Sequence, residues 1–321
     1  MCVSGNPDER HLRILNRNLV FIFVAGSLWG LNTAMAAIAT RGGFTAFEVA
    51  FWQALLALFL LQMAGYLAGE RIRPSRRLLW SALACGVLGL TLPNLLFYRA
   101  ASEVPVGVLS LCIATIPAFT AVMAYFLRLD GLSMKRIIAI FVGFLAIIIL
   151  TAPGFEGQTD PLHYGYLGMA LLAAFLYALS FIIMSFFLGE CDFPLRFTSL
   201  IFGVSALVLA PIVVDANMVT QVGWNAATFG LFAVGPFIAI AHSFYVFALI
   251  GGGAIQASFA TIIATIMGVL WGMIILGESN SISVWISFVM IIGALNVLRT
   301  APATPQGRDD DDTEKSPLTD K

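Results

Sequence analysis

Charged residues are scarce in this chain, and their scarcity excludes most soluble folds. They make up 11% of the 321 residues, while hydrophobic residues make up 60% and the mean hydropathy is +0.92. A water-soluble chain of this composition would expose large apolar patches to water and would aggregate. The composition therefore predicts an integral membrane protein.

Cysteine and histidine are also rare, with four of the first and three of the second. The cysteines lack paired spacing, so neither a disulfide framework nor a metal site is expected. His11 and His163 lie outside the apolar stretches, and no mid-span carboxylate or His-Glu-x-x-His sequence occurs. The chain is therefore not expected to be an enzyme, and no cofactor is expected. The cysteines are Cys2, Cys85, Cys112 and Cys191.

The sequence signals of other classes of membrane protein are absent from this chain as well. No glycine-rich loop followed by Lys and Ser or Thr is present, so ATP hydrolysis is not expected. Neither a carbonyl filter sequence nor rings of charge indicate a channel. The connectors are short for a receptor. An intramembrane enzyme, a channel and a receptor stay as alternatives to a transporter.

Ten long apolar stretches account for most of the chain. About 20 apolar residues of helix cross the hydrocarbon core of a bilayer. Long continuous runs favour helices over the alternating segments of a membrane barrel. The expected fold class is all-α integral membrane, with ten transmembrane helices. The predicted spans are Leu19–Ala39, Phe47–Ala68, Leu78–Ala100, Val106–Leu127, Ile137–Thr151, Gly165–Leu188, Phe197–Val214, Phe229–Ile250, Ala254–Leu276 and Val284–Leu298. Gly251–Gly253 is predicted to form the turn between the eighth and ninth spans.

The distribution of Lys and Arg predicts the orientation of the chain. If the amino terminus is cytoplasmic, every basic residue except Arg41 and Arg99 falls on the cytoplasmic side. Cytoplasmic loops of membrane proteins carry such an excess. We therefore expect a multi-pass membrane protein with both termini in the cytoplasm.

The chain also carries the signs of an internal duplication. Phe97-Tyr98 aligns with Phe244-Tyr245 at an offset of 147 positions, and Gly143 aligns with Gly293 at 150. Five helices per copy is an odd number, so the second copy would cross the membrane in the opposite sense. Two inverted five-helix repeats are an architecture of secondary transporters. The predicted organisation is a cytoplasmic segment over 1–18, a first repeat over 19–151, an outer connector over 152–164, a second repeat over 165–299 and a disordered acidic tail over 300–321.

Several short motifs, in this order, make the chain similar to a known family. They are Leu28-Trp29-Gly30-Leu31-Asn32, Phe51-Trp52-Gln53, Tyr98-Arg99-Ala100-Ala101, the stretch Ala114–Leu127 with Pro117, Asp130-Gly131-Leu132-Ser133 and Gly277-Glu278. With them, residues 19–299 resemble the EamA-type members of the drug/metabolite transporter superfamily. The resemblance implies a carrier of small metabolites in the cell inner membrane of a bacterium, often an exporter of amino acids or related compounds. Gln53 departs from the Arg that family members often carry, and Asp130 replaces their usual Glu.

Polar and aromatic groups inside the spans are the candidate lining of a transport pathway, because such groups usually face the bundle interior. They are uncharged and rich in amides and rings, which suits a ligand held by stacking and hydrogen bonds. The candidates are Trp29, Asn32, Gln53, Asn94, Tyr98, Tyr177, Ser180, His242, Tyr245 and Trp271. Structural roles compete with this one: His242 could equally bridge two helices, and Thr261 and Thr265 could pack.

The predicted function is a secondary transporter of small metabolites, working by alternating access and exporting its substrate. Spans one, three, six and eight should line the pathway, with five and ten at the periphery. Spans four and nine should pack against each other or against a second protomer. Asp130 and Glu278 are interpreted as structural residues at cytoplasmic ends. The expected partners are the substrate, the lipid bilayer and, as an option, a second copy of the chain, with no nucleic acid.

Overall fold

The computed structural model describes residues 7–73, 75–128, 133–151, 161–188, 192–215, 222–257 and 259–300. Within these ranges every regular element is a helix. The helices are α1 (Pro7–Arg41), α2 (Ala46–Leu67), α3 (Arg76–Gly86), a π-helical turn (Val87–Thr91), α4 (Leu92–Ala101), α5 (Val106–Ile113), α6 (Ile116–Phe126), α7 (Met134–Thr151), α8 (Pro161–Leu188), α9 (Pro194–Asp215), α10 (Ala226–Ala257), α11 (Phe259–Leu276) and α12 (Ile282–Thr300).

The prediction of a helical membrane fold is confirmed. Seven helical segments in the described ranges are long and apolar enough to cross a bilayer, and three shorter apolar helices join them. The shorter ones are Ile137–Ile149, Ala260–Leu276 and Ile282–Val297. Large apolar side chains such as Phe59, Leu207 and Ile274 point outward and are more than half exposed, as expected of a surface in contact with lipid.

The third span bends at a π-helical turn between α3 and α4. Pro93 has no N–H to donate to the carbonyl four residues before it, so the regular hydrogen-bond ladder is interrupted there. The backbone N–H of Leu92 instead donates to the carbonyl of Val87, five residues back, and the Thr91 hydroxyl donates to the carbonyl of Gly86 at 2.8 Å. This local change of period places Asn94 in the interior of the bundle, where it is 3% exposed.

The predicted span Val106–Leu127 agrees with the membrane-spanning segment Val106–Phe126. Its helix is interrupted between α5 and α6, where the chain turns just before Pro117 and the Thr115 hydroxyl donates to the carbonyl of Cys112 at 2.6 Å. The predicted turn at Gly251–Gly253 is wrong, because the backbone there is helical and α10 continues to Ala257. Glycine permits a turn without requiring one, and an apolar environment favours a helix that bonds every backbone group.

Helices from the two halves of the chain interleave. α1 packs on α10 and α11, α2 on α9 and α10, α3 on α9, α4 on α8, α6 on α8, α5 on α11, and α7 on α12. The fourth and ninth spans therefore meet each other, which is one of the two arrangements that the sequence predicts. Small residues permit the closest approach: a Cβ added at Gly30 would lie 2.6 Å from the backbone nitrogen of Gly268.

Candidate functional site

A cavity of about 150 Å³ lies in the interior, between helices of both halves. This is the space open to the centres of water molecules, so the cavity holds several waters or a small organic molecule. α1, α2, α3, α4, α5, α6, α8, α9, α10 and α11 contribute side chains to its wall, as does the π-helical turn. α7 and α12 contribute none of the lining residues.

Eight of the ten predicted pathway residues line this one cavity. They are Trp29, Asn32, Gln53, Asn94, Tyr98, Tyr177, Ser180 and His242. Their convergence is a property of the fold, because they come from α1, α2, α4, α8 and α10. The prediction that spans one, three, six and eight line the pathway is too narrow, since the second, fourth, seventh and ninth spans also reach the cavity.

The other two predicted residues lie outside the wall. The ring centroid of Tyr245 is 5.0 Å from that of Trp29, so Tyr245 packs behind a lining residue. The Trp271 indole Nε1 donates to the backbone carbonyl of Ser27 at 3.2 Å and so links α11 to α1. Tyr245 and Trp271 are therefore better placed to support the wall than to contact a molecule inside the cavity.

A continuous hydrogen-bond network links five of the lining residues. The Asn32 amide donates from Nδ2 to the Tyr98 hydroxyl at 3.3 Å, and that hydroxyl donates to Oε1 of Gln53. Asn94 donates from Nδ2 to the same Gln53 oxygen at 3.1 Å, and Tyr177 donates its hydroxyl proton to Oδ1 of Asn94. The network runs across α1, α2, α4 and α8 and therefore joins the two halves of the chain.

One polar atom of this network is left without a partner. Asn32 is 7% exposed, and its Oδ1 is buried and accepts no hydrogen bond in the structure. A buried amide oxygen without a partner is costly, by about 1–3 kcal/mol. Asn32 is therefore a wall residue with unused capacity to accept a hydrogen bond.

His242 sits among aromatic rings. Its ring centroid is 5.6 Å from that of Trp29 and 5.3 Å from that of Phe202, with both contacts edge to face. Its Nδ1 lies 3.0 Å from the carbonyl oxygen of Ile238, one turn earlier in α10. That carbonyl can only accept, so Nδ1 carries the proton and Nε2 of the neutral ring is an acceptor.

Hydroxyl groups in the wall are mostly occupied by their own helices. Thr33 donates to the carbonyl of Trp29, Ser110 to that of Val106, and Ser180 to that of Tyr177. Such bonds are common for Ser and Thr in membrane helices. Thr265 behaves in the same way, in agreement with its predicted packing role, whereas Thr261 lies in the wall.

The apolar part of the wall was not predicted from the sequence. Phe97, Phe181, Met184 and Phe202 line the cavity, but nothing distinguishes them in sequence from the many other large apolar residues of the spans. Thr198 also lines it, from a span that was not predicted to do so. The polar residues stand out in a span, and the apolar ones do not.

Among the residues that the structure describes, no Asp, Glu, Lys or Arg lines the cavity. In the same part of the chain, no group of three or more His, Cys, Asp or Glu could hold a metal ion. Several charged residues lie instead at the two ends of the bundle.

At one end, Glu278 joins the end of α1 to the start of α5. Its Oε1 accepts from Nη2 of Arg41 at 3.0 Å and from the backbone N–H of Val106 at 2.9 Å, and its Oε2 accepts from Gly107 at 3.3 Å. A carboxylate at a helix amino terminus is stabilised by the helix dipole. Arg41 and Glu278 therefore share one side of the membrane, so their predicted positions, Arg41 outside and Glu278 at a cytoplasmic end, cannot both be right. Asp130 lies outside the described residues.

At the other end, Glu70 makes the corresponding contact with α9. Its carboxylate accepts from the backbone N–H groups of Leu195 and Arg196, at 3.2 and 2.9 Å. The Arg196 side chain donates to the carbonyl of Glu70 at 2.9 Å and to Gln62 at 2.8 Å. Because α1 and α2 are consecutive and antiparallel, the ends of these two helices lie on opposite sides. Each side of the bundle thus has an Arg–Glu contact between the halves.

The first part of the chain matches a family of transporters. Residues 16–152 match the EamA-like transporter family, which belongs to the drug/metabolite transporter superfamily. The predicted resemblance is confirmed over these residues. The chain is a multi-pass membrane protein, and the family match and the relatives support a membrane transporter.

Two curated relatives cover most of the chain. An uncharacterized transporter of Clostridium kluyveri is 24% identical over 79% of this chain and 84% of its own length. A riboflavin transporter of Brucella anthropi is 24% identical over 82% of this chain and 91% of its own length. A crystal structure at 17% identity covers 89% of this chain and 98% of its own, with a TM-score of 0.61, and shows the same fold.

Proposed function

We propose that this protein is a secondary transporter that exports a small polar or aromatic metabolite, an amino-acid-like compound among the candidates. The central cavity is the binding site, and the two halves of the chain alternate its access between the two sides of the membrane. The observation that carries the proposal is the convergence of eight polar and aromatic side chains from both halves on one uncharged cavity.

The packing of the helices supports two inverted repeats. If the ten spans are numbered in order, the most extensive contacts between spans have counterparts when span n is exchanged with span n + 5. The contact of α1 with α10 corresponds to that of α8 with α4, and the contact of α2 with α10 corresponds to that of α9 with α3. The contacts of α2 with α9, α5 with α11 and α7 with α12 map onto themselves. A two-fold relation in the membrane plane produces this pattern.

The Arg–Glu contacts at the two ends support alternating access. Each one ties a helix of the first half to a helix of the second, at 3.0 Å for Arg41 and Glu278 and through Glu70 for Arg196. Opening either side requires its contact to break while the other side stays closed. Alternation of this kind is rigid-body movement of two bundles around a fixed site.

The named relatives support small-molecule transport. The riboflavin transporter carries a flat heteroaromatic compound by its name, and the cavity of this chain offers Trp29, Phe97, Tyr177 and Phe202 as surfaces for stacking. The resemblance to EamA-type carriers supports export. Flat heteroaromatic compounds are therefore the first to be tested, in the direction of export.

A flux assay in reconstituted vesicles tests the proposal. Purified protein in vesicles loaded with a metabolite panel, with and without a proton gradient, should release a subset of the compounds faster than protein-free vesicles. Mass spectrometry of the released and retained pools identifies that subset. Chemical conversion of a compound would favour the enzyme alternative, and ion conductance without selective flux would favour a channel. Absence of any flux above the protein-free control would contradict the proposal.

A further inference from the structure

His242 presents a hydrogen-bond acceptor to the cavity. Its Nδ1 proton is used by the carbonyl of Ile238, which leaves Nε2 as an acceptor on a ring that lines the cavity. Trp29 is in edge contact with this ring and also lines the cavity. The wall therefore combines an acceptor with an indole surface on adjoining helices.

The same wall lacks a counter-charge for an ionised ligand. Among the described residues, no Lys, Arg, Asp or Glu lines it, and the Arg41, Glu278, Glu70 and Arg196 side chains are engaged at the ends of the bundle. Moving an unpaired carboxylate or ammonium group from water into such a site is far more costly than moving a neutral amide. A zwitterion, such as a free amino acid, would carry both costs.

We propose that the ligand of the central cavity is an uncharged aromatic or heteroaromatic compound bearing an N–H donor, of the carboxamide or cyclic imide type. Its donor binds Nε2 of His242, and its ring lies against Trp29. This proposal rests on the proposed transport function and narrows its substrate class.

Matched compounds test the effect of the ligand's charge separately from the effect of its N–H hydrogen-bond donors. Two series serve as probes: nicotinamide, nicotinate and N,N-dimethylnicotinamide; and indole-3-acetamide, indole-3-acetate and N,N-dimethylindole-3-acetamide. L-Tryptophan is the zwitterionic probe, and uracil is a cyclic imide. Flux from vesicles and thermal stabilisation of the detergent-solubilised protein are measured for each compound. In at least one series the neutral N–H compound should move and stabilise about tenfold better than its anionic and dimethylated counterparts, the ratio expected from one hydrogen bond.

The His242→Leu variant should abolish the preference for the primary amide over the dimethylated one. Ser243→Ala is the matched control, because Ser243 is also on α10, bonds the carbonyl one turn earlier and does not line the cavity. The wild-type comparison alone decides the proposal if His242→Leu fails to fold.

The outcomes distinguish a failure of the proposed ligand class from a failure of the proposed transport function. Equal or faster handling of nicotinate, indole-3-acetate or tryptophan would overturn the proposed ligand class while leaving transport intact. Stabilisation by neutral amides without flux would keep the ligand class and contradict the transport function. If neither flux nor stabilisation occurs with any neutral N–H compound, the ligand class is wrong.

Discussion

Arg41 at the end of α1 donates from Nη2 to Oε1 of Glu278, 237 positions further along the chain, at a distance of 3.0 Å. The same Arg41 donates to the backbone carbonyls of Ala101 and Val104, and the same Glu278 accepts from the backbone N–H of Val106. A single ion pair thus holds together α1, the end of α4, the start of α5 and the end of α11. The side chains are 32% and 10% exposed, so the pair is only partly screened by water.

Replacing Glu278 by Gln should destabilise the protein and disturb its transport cycle. The change removes the ionic partner of Arg41 and one charged acceptor at the start of α5, at a cost of about 1–3 kcal/mol. Denaturant unfolding in detergent micelles measures it. Asp192→Asn is the matched control, because the Arg73–Asp192 pair is 3.8 Å apart and about four-fifths exposed on both sides, and should contribute less than about 1 kcal/mol.

Exchanging the two charges should fail to restore stability. In the double variant Arg41→Glu with Glu278→Arg, opposite charges still face each other, but an arginine at 278 cannot accept the N–H groups of Val106 and Gly107. If the double variant had the same free energy of unfolding as the wild type, the ion pair alone would account for the stability, and the contacts of Glu278 with the amino terminus of α5 would not contribute.

Adding a methyl group at Gly30 should be costly. The new Cβ would lie 2.6 Å from the backbone nitrogen of Gly268 and 2.9 Å from the carbonyl oxygen of Ala264, and backbone atoms cannot rotate away. We expect Gly30→Ala to lower the free energy of unfolding by about 1–3 kcal/mol, as for other overpacked interiors. Gly168→Ala is the control, since nothing lies within 4 Å of its added Cβ. A Gly30→Ala variant as stable as Gly168→Ala would contradict the close packing of α1 and α11.

Replacing His242 or Asn94 by Ala should reduce transport without preventing membrane insertion. His242 presents an acceptor to the cavity, and Asn94 accepts from Tyr177 and donates to Gln53, so each loss removes polar groups from the wall. We expect at least about a tenfold loss of flux, with unchanged amounts of protein in the membrane fraction. Ser243→Ala is the control, because Ser243 neighbours His242, makes the same bond to the preceding turn and does not line the cavity. Wild-type flux in both variants would remove them from the site.

The two ends of the chain should lie on the same side of the membrane. Ten spans, an even number, return the chain to its starting side, and the basic residues favour the cytoplasm. Reporter enzymes fused to the amino and carboxyl termini should both be active in the cytoplasm. Opposite sides would contradict the ten-span topology, and with it the inverted repeats.

Much of the site could be predicted because polar residues in an apolar span are few and expensive. Asn32, Gln53 and Asn94 stand out in their spans for that reason, and all three line the cavity. Phe202 and Phe181 line it too, but a phenylalanine has the same sequence signal whether it faces lipid, core or cavity. Glu278 was predicted at a cytoplasmic end, although the alternation of the ten predicted spans already places the end of the ninth span on the same side as Arg41, which is the side that their contact requires.

Hydropathy is a property that residues contribute one by one, so the composition and the order of apolar stretches were enough to predict a helical membrane protein. The family resemblance came from short motifs, each of which is local in the sequence. Hydrogen bonds and close contacts depend instead on pairs of residues far apart in the chain. Only the folded structure brought Asn32, Tyr98, Gln53, Asn94 and Tyr177 into one network, interrupted the helix of the fourth span before Pro117, continued α10 through its glycines and left Oδ1 of Asn32, like that of Asn18, buried without a partner. Which polar groups find each other is decided by how the helices cross, and helix crossing is fixed by packing over the whole bundle.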